Sequence, residues 1–123
     1  MKKILIIDDE PQFLFIAAAR LEANGYAVIT ALSGKQGLEK AQKEIPDLIL
    51  LDHLMPEMDG GEALDRFKKD PVTKHIPVVI FTADINGVKV GEFQMRGAAD
   101  CLYKPFFPKE FLDKVKEILD KKS

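Results

Sequence analysis

The sequence predicts an α/β domain with a parallel sheet, helices on both faces and acidic residues gathered at the carboxyl ends of its strands. Three observations predict it. Short apolar runs recur five times, longer segments with helical spacing lie between them, and the runs give way to carboxylates, a hydroxyl and a lysine.

The first run, Ile4 to Ile7, ends in Asp8-Asp9-Glu10. Pro11 then suits the first position of a helix running to about Asn24, and Gly25 suits its stop. Tyr26 to Ala31 is the second run, and Ser33-Gly34-Lys35-Gln36 after it reads as a capping box with Ser33 as N-cap. The third run, Leu48 to Leu51, ends in Asp52, and the fourth, Val78 to Phe81, ends in Thr82. The first, third and fourth runs are nearly unbroken β-branched or leucine stretches, as parallel strands covered on both faces require. The fifth, Cys101 to Tyr103, runs into Lys104-Pro105. Between the last two runs, residues 86 to 96 carry Gly87, Gly91 and two valines. Each glycine costs about 1 kcal/mol relative to alanine in a helix interior, so this fourth helix is expected to be short, late-starting or mobile. In the last segment Phe111, Val115, Ile118 and Leu119 form an apolar stripe, with Lys114, Lys116 and Glu117 expected to point away. Alternation of this kind implies right-handed crossovers and three layers.

The bulk properties narrow the class. The chain has 123 residues, 46% hydrophobic and 31% charged, which fits one compact domain spanning 1–123 with a proper core. A net charge of -2 gives no general attraction to nucleic acid or to an anionic membrane. Apolar runs stay far below the roughly 20 residues that span a bilayer. Met1-Lys2-Lys3 and the run behind it look like the start of a signal peptide, but Asp8 cuts that run too short for one. A single cysteine, Cys101, permits no internal disulfide, so a reducing, cytoplasmic setting is expected.

In a doubly wound sheet the ligand site lies beyond the carboxyl ends of the strands, where Asp8, Asp9, Asp52, Thr82 and Lys104 would converge. Clustered carboxylates repel one another unless a cation lies among them, which makes such a cluster a natural site for a hard ion. Magnesium takes about six oxygens and commonly combines one or two carboxylates with waters and a substrate phosphate. Asp9 and Asp52 could ligate it directly, with Asp8 holding a coordinated water. Asp52 would then stand as an in-line nucleophile, and carboxylates do form aspartyl phosphates. Lys104 offers a compact positive charge to phosphoryl oxygens, and Thr82 a small donor. Taken singly, each residue has a plainer reading. Asp8 and Asp9 suit a helix N-terminus, Asp52 a strand-end turn, Thr82 a strand and Lys104 a solvated loop.

These pieces, in order, resemble the receiver domains of two-component response regulators. The likeness rests on Ile6-Ile7-Asp8-Asp9-Glu10-Pro11, Asp47-Leu48-Ile49-Leu50-Leu51-Asp52, Met55-Pro56-Glu57-Met58-Asp59-Gly60, Ile76 to Ala83, Gly97-Ala98-Ala99-Asp100 and Lys104-Pro105-Phe106. It implies a flavodoxin-like, five-stranded parallel sheet of order 2-1-3-4-5 flanked by five helices. It also implies phosphoryl acceptance on Asp52, with Asp8, Asp9, Asp52 and the backbone carbonyl of Leu54 holding Mg2+. Thr82 would be the switch hydroxyl and Lys104 the phosphate-pairing lysine, its bond to Pro105 often cis in this family. The implied donor is a histidine kinase or phosphotransfer protein, or a small acyl phosphate. The implied output is a downstream protein or a missing output domain, with no direct nucleic-acid or membrane contact. Such a domain is a switch rather than a turnover enzyme, and dimerisation on phosphorylation is left open.

Several positions depart from the family. The aromatic residue usual three positions before the lysine is replaced by Cys101, and Tyr103 falls on the opposite sheet face. This departs from the usual threonine–aromatic coupling, and signalling would lean on backbone shifts or on the glycine-bearing fourth helix. His53 after the phosphoacceptor is less usual than an aliphatic, and it and Asp84 are expected to influence phosphate lifetime. Cys101 reads as a buried small hydrophobe rather than a redox sensor. His53 and His75 are isolated, which makes a zinc site improbable. Phe13 and Phe15 fall on different faces of the first helix, leaving one for a partner surface, while Phe106, Phe107 and Phe111 read as core and loop anchors.

Three other functions compete. A magnesium-dependent phosphohydrolase would need a substrate pocket and usually a cap. A flavin binder would want a Ser, Thr and Gly-rich loop where Asp8-Asp9-Glu10 would repel phosphate. A pseudo-receiver that only binds partners would not need Asp52, Thr82 and Lys104 together.

Overall fold

A computed structural model describes residues 1–55, 57–82, 90–103 and 108–122, with the backbone alone for residues 90, 91, 103, 108 and 122. Strands and helices alternate as β1 (Lys3–Ile7), α1 (Pro11–Ala23), β2 (Ala27–Ala31), α2 (Gly34–Glu44), β3 (Leu48–Asp52), α3 (Gly60–Lys69), β4 (Val78–Thr82), α4 (Val90–Met95), β5 (Asp100–Tyr103) and α5 (Pro108–Lys122). The five strands form one parallel sheet in the order β2-β1-β3-β4-β5.

Strand alternation divides the core in two. Leu5 and Ile7 of β1, Ile49 and Leu51 of β3, Val78 and Ile80 of β4 and Cys101 of β5 face one side, packed with Ala41 of α2, Ala63, Leu64 and Phe67 of α3 and Phe93 of α4. Ile4 and Ile6, Leu48 and Leu50, and Val79 and Phe81 face the other side, against Leu14, Ala17 and Leu21 of α1 and Phe111, Val115 and Leu119 of α5. Both faces of β3 and β4 are thus covered, which is why those stretches carry no polar alternation.

The helices begin and end largely where their punctuation dictates. Pro11 opens α1, and Gly25 follows the C-cap Asn24 with φ +90°, a conformation that suits a residue without Cβ. The Ser33 hydroxyl accepts from the Gln36 N–H at 3.1 Å, while the Gln36 side chain accepts from the N–H of Leu32, one residue earlier than a standard box. The described part of α4 has six residues, Val90–Met95. Its expected earlier start, residues 86–89, lies outside the described residues.

In α5 the stripe of Phe111, Val115 and Leu119 is buried and Ile118 is partly covered. Lys114, expected to point away, instead reaches the start of β5, where its Nζ lies 2.8 Å from an Asp100 carboxylate oxygen. Its long apolar stem lets an ammonium reach a partner at the side of the stripe. Among the described residues no helix is long and apolar enough to cross a membrane.

Candidate functional site

At the end of β1 the Asp8 N–H still donates to the Ala31 carbonyl, at 3.1 Å, so the residue is held by the sheet. Its carboxylate, fully buried, accepts from the Glu10 N–H at 2.9 Å. That bond turns the chain into Pro11 and α1 and fixes the carboxylate at the strand mouth. Carboxylate oxygens of Asp8, Asp9 and Glu10 lie within 4.8 Å of one another, Asp8 buried and the other two exposed.

β3 lies between β1 and β4, with Ile7 opposite Leu51 and Asp52 opposite Phe81. Asp52 therefore sits one step beyond the last β1 pairing, beside the mouth that Asp8 occupies, and is only 4% exposed. Thr82, fully buried, is the last residue of β4, one step past the partner of Asp52. Fold topology brings Asp8, Asp9, Asp52 and Thr82 to one sheet edge. Leu54, two residues beyond Asp52, exposes its side chain. Lys104, Lys104-Pro105, Asp84, Phe106 and Phe107 lie outside the described residues.

Burying carboxylates near one another is expensive unless a positive charge or donors compensate. The donor set is composed of hard oxygens, some buried and some open to water, which is the chemistry a small divalent cation takes. The residues fit such an ion. The sequence motif assigns no metal role to Glu10, which nonetheless stands in the same acidic group as Asp8 and Asp9.

The support beneath Asp52 is backbone. The His53 N–H donates to the Phe81 carbonyl at 3.0 Å, and its carbonyl accepts the Gly60 N–H at 2.8 Å. A Cβ on Gly60 would stand 2.7 Å from His53 Cα and 2.8 Å from the Asp52 carbonyl oxygen, so only glycine lets α3 begin this close to the strand end. The His53 ring meets the Phe93 ring edge-on, with centroids 5.2 Å apart. Cys101 lies in the core beneath α4, where burial first, and then the Asp100 charge, push its thiol up to about 11. It is the small buried residue that its lone occurrence suggested.

The family model for the response regulator receiver domain matches residues 4–116. The alkaline phosphatase synthesis transcriptional regulatory protein PhoP of Bacillus subtilis is 40% identical over 119 residues, covering 96% of this chain and 48% of its own length. The response regulator PleD of Caulobacter vibrioides is 42% identical over 104 residues, 84% of this chain and 23% of PleD. This chain thus spans about half of one relative and a quarter of the other. The structure of chemotaxis protein CheY4 of Vibrio cholerae superposes with a TM-score of 0.89 at 32% identity, covering 96% of this chain and 98% of that one. With the sheet order, the acidic strand mouth and these likenesses together, the chain belongs to the response regulator receiver domain family.

Proposed function

We propose that residues 1–123 work as one receiver unit that accepts a phosphoryl group on Asp52 in the presence of magnesium and changes its affinity for a partner. The observation that carries this reading is the burial of two carboxylates, Asp8 and Asp52, at the ends of adjacent parallel strands, with buried Thr82 on the next strand. Such a cluster is stable only with compensation, and phosphoryl transfer makes use of a compensating metal.

Asp8, Asp9 and Asp52, with the Leu54 carbonyl, would hold the ion, and the exposed Glu10 carboxylate beside Asp8 and Asp9 would add negative charge nearby. When bound, magnesium would neutralise the repulsion between Asp52 and an incoming phosphate dianion. An Asp52 carboxylate oxygen forms the new P–O bond as the bond to the donor breaks. The donor, a phosphohistidine of a kinase or phosphotransfer protein, leaves with the electron pair and takes up a proton. Thr82 donates its hydroxyl to a phosphoryl oxygen, and Lys104, assigned on the family likeness alone, pairs with another. The added charge and acceptor oxygens then bias a two-state surface that a downstream protein, or an output domain on a longer chain, reads. A shift from 1:99 to 99:1 needs about 5.5 kcal/mol of differential stabilisation, within reach of several charge-assisted contacts. This reading places the domain in the cytoplasm with its donor, as a switch and not as a turnover enzyme.

The test is intact mass after incubation with magnesium and acetyl phosphate. One phosphoryl adduct, absent with a chelator and absent in Asp52→Ala, is expected. If neither acetyl phosphate nor phosphohistidine donors give an adduct, and beryllofluoride does not bind, the switch reading fails and a partner-binding pseudo-receiver replaces it.

A further inference from the structure

The side chain after Asp52 is tied to two helices. His53 sets its ring edge against Phe93 of α4, at 5.2 Å between centroids and 72° between planes. Its Nδ1 is buried and has no hydrogen-bond partner among the described residues, so packing rather than polar contact holds this edge of the ring. Phe93 is 6% exposed and lies in the same buried cluster as Cys101. The Arg96 guanidinium lies over the Phe93 ring, 5.6 Å from the centroid. Arg96 in turn reaches α3, donating Nε and Nη2 to the two Asp65 carboxylate oxygens at 3.1 and 2.8 Å and Nη2 also to the Gly61 carbonyl at 2.8 Å. One residue earlier, the Gly60 N–H returns to the His53 carbonyl. The contacts close a loop: His53 to Phe93, Phe93 to Arg96, Arg96 to α3, and α3 back to His53.

α3 is fixed within this loop. It is seated on the strand end by Gly60, where a Cβ would clash with backbone atoms. Phe93 meets the residue after Asp52 through the edge of the His53 ring, and rings in edge-to-face contact can slide or tilt while remaining packed. His53 follows Asp52 directly at β3's exit, so its ring is the side chain next in the chain to any change there.

We infer that Phe93, gripped between His53 and Arg96, is the positioning residue through which the phosphorylation state of Asp52 is passed to α4. The inference rests on the reading of Asp52 as phosphoacceptor and names the path from it. With a cysteine instead of an aromatic residue at position 101, the ring in this region of the core comes from α4, and it carries the coupling from the β3 end. The physical requirement for coupling is an element with two arrangements that both ends bias. α4, tied to the rest of the loop through Phe93 and Arg96, is that element.

The experiment follows the amide resonances of Met95, Arg96, Gly97 and Ala98 by NMR before and after phosphorylation with acetyl phosphate and magnesium, with intact mass recorded on each sample. In Phe93→Leu, which keeps an apolar side chain but no ring, the adduct forms while the shift changes at these amides fall by about threefold or more. Phe93→Tyr restores the ring and most of the response. Arg96→Met, on the surface side of the contact, damps the response without disturbing the core, and it serves if Phe93→Leu does not fold. An undiminished α4 response in phosphorylated Phe93→Leu or Arg96→Met overturns the inference and leaves Asp52 as acceptor. No adduct in the unaltered protein, seen in the mass alone, overturns the acceptor reading and this inference with it.

Discussion

α3 and α4 pack on the same face of the sheet and meet at Arg96 and Asp65, yet they are held in different ways. α3 has ten residues and buries Ala63, Leu64 and Phe67 completely. Its first turn is capped by Asp59, whose Oδ1 accepts the Glu62 N–H at 2.9 Å, and Gly60 locks that turn to the end of β3. The described part of α4 has six residues, with Phe93 buried and Met95 91% exposed two positions later. One helix is fixed to the strand that carries Asp52, while the other is linked to it through a ring contact and a cation. The difference teaches where a response to phosphate is cheapest: in the helix with fewer anchors among the described residues.

That contrast can be broken from either side, and the effects should fall in a definite order. The largest belongs to Phe67→Ala, which removes a fully buried ring from α3 and should cost about 3–5 kcal/mol in urea unfolding. Next comes Gly60→Ala, where a methyl group would press on the backbone of Asp52 and His53. A loss of about 1–3 kcal/mol is expected, with slower phosphoryl acceptance measured by intact mass. Asp59→Ala unfastens the cap and should cost about 1 kcal/mol, with the greater hydrogen exchange confined to the first turn of α3.

A smaller effect is expected from Arg96→Gln, because both partners of the ion pair are partly exposed. Solvent screening holds the pair to a few tenths of a kcal/mol, up to about 1. The hydrogen bond from Arg96 holds the Asp65 carboxyl below the usual carboxylate range. A carboxyl depressed on folding contributes stability that is present above its unfolded value and lost as pH falls through the lowered folded value. The gap between Arg96→Gln and the unaltered protein should therefore be widest near neutrality and close under strongly acidic conditions. Acid and neutral urea titrations measure it. A gap that widened in acid would show that the pair does not hold the helices together.

The least disruptive probe is the thiol of Cys101. Raised to about 11, mainly by burial, it stays protonated at neutral pH and should resist alkylation in the folded protein. Its rate of reaction with iodoacetamide then reports openings above β5. Phe93→Leu should accelerate alkylation, and Asp59→Ala should leave it nearly unchanged. The reverse order would show α3, not α4, to be the looser cover.

Most of the architecture was legible because each element is specified locally. Apolar runs ending in Asp8, Asp52 and Thr82 set the strands, and Pro11, Gly25 and Ser33 punctuate the helices. The split of Phe13 and Phe15 also follows from helical spacing: Phe13 packs its ring 5.2 Å from Phe81, and Phe15 is 77% exposed. What was not legible depends on residues far apart in the chain. The partner of Lys114 is Asp100 on β5, and the ring that meets His53 comes from α4. Ile45, a β-branched residue, ends α2 at φ +46°, a conformation that no propensity would assign to it. Gly60 looked like part of a motif, but its reason is a backbone contact that only the fold creates.

The central claim is tested most directly by locating the phosphoryl group chemically. An aspartyl phosphate is an acyl phosphate, so borohydride reduces it to the alcohol, homoserine, with loss of phosphate. Peptide mapping after reduction of the phosphorylated protein should find homoserine at position 52 and unaltered aspartate at positions 8 and 9. Reduction at another carboxylate, with Asp52 intact, would contradict the account and require a different nucleophile at this strand mouth.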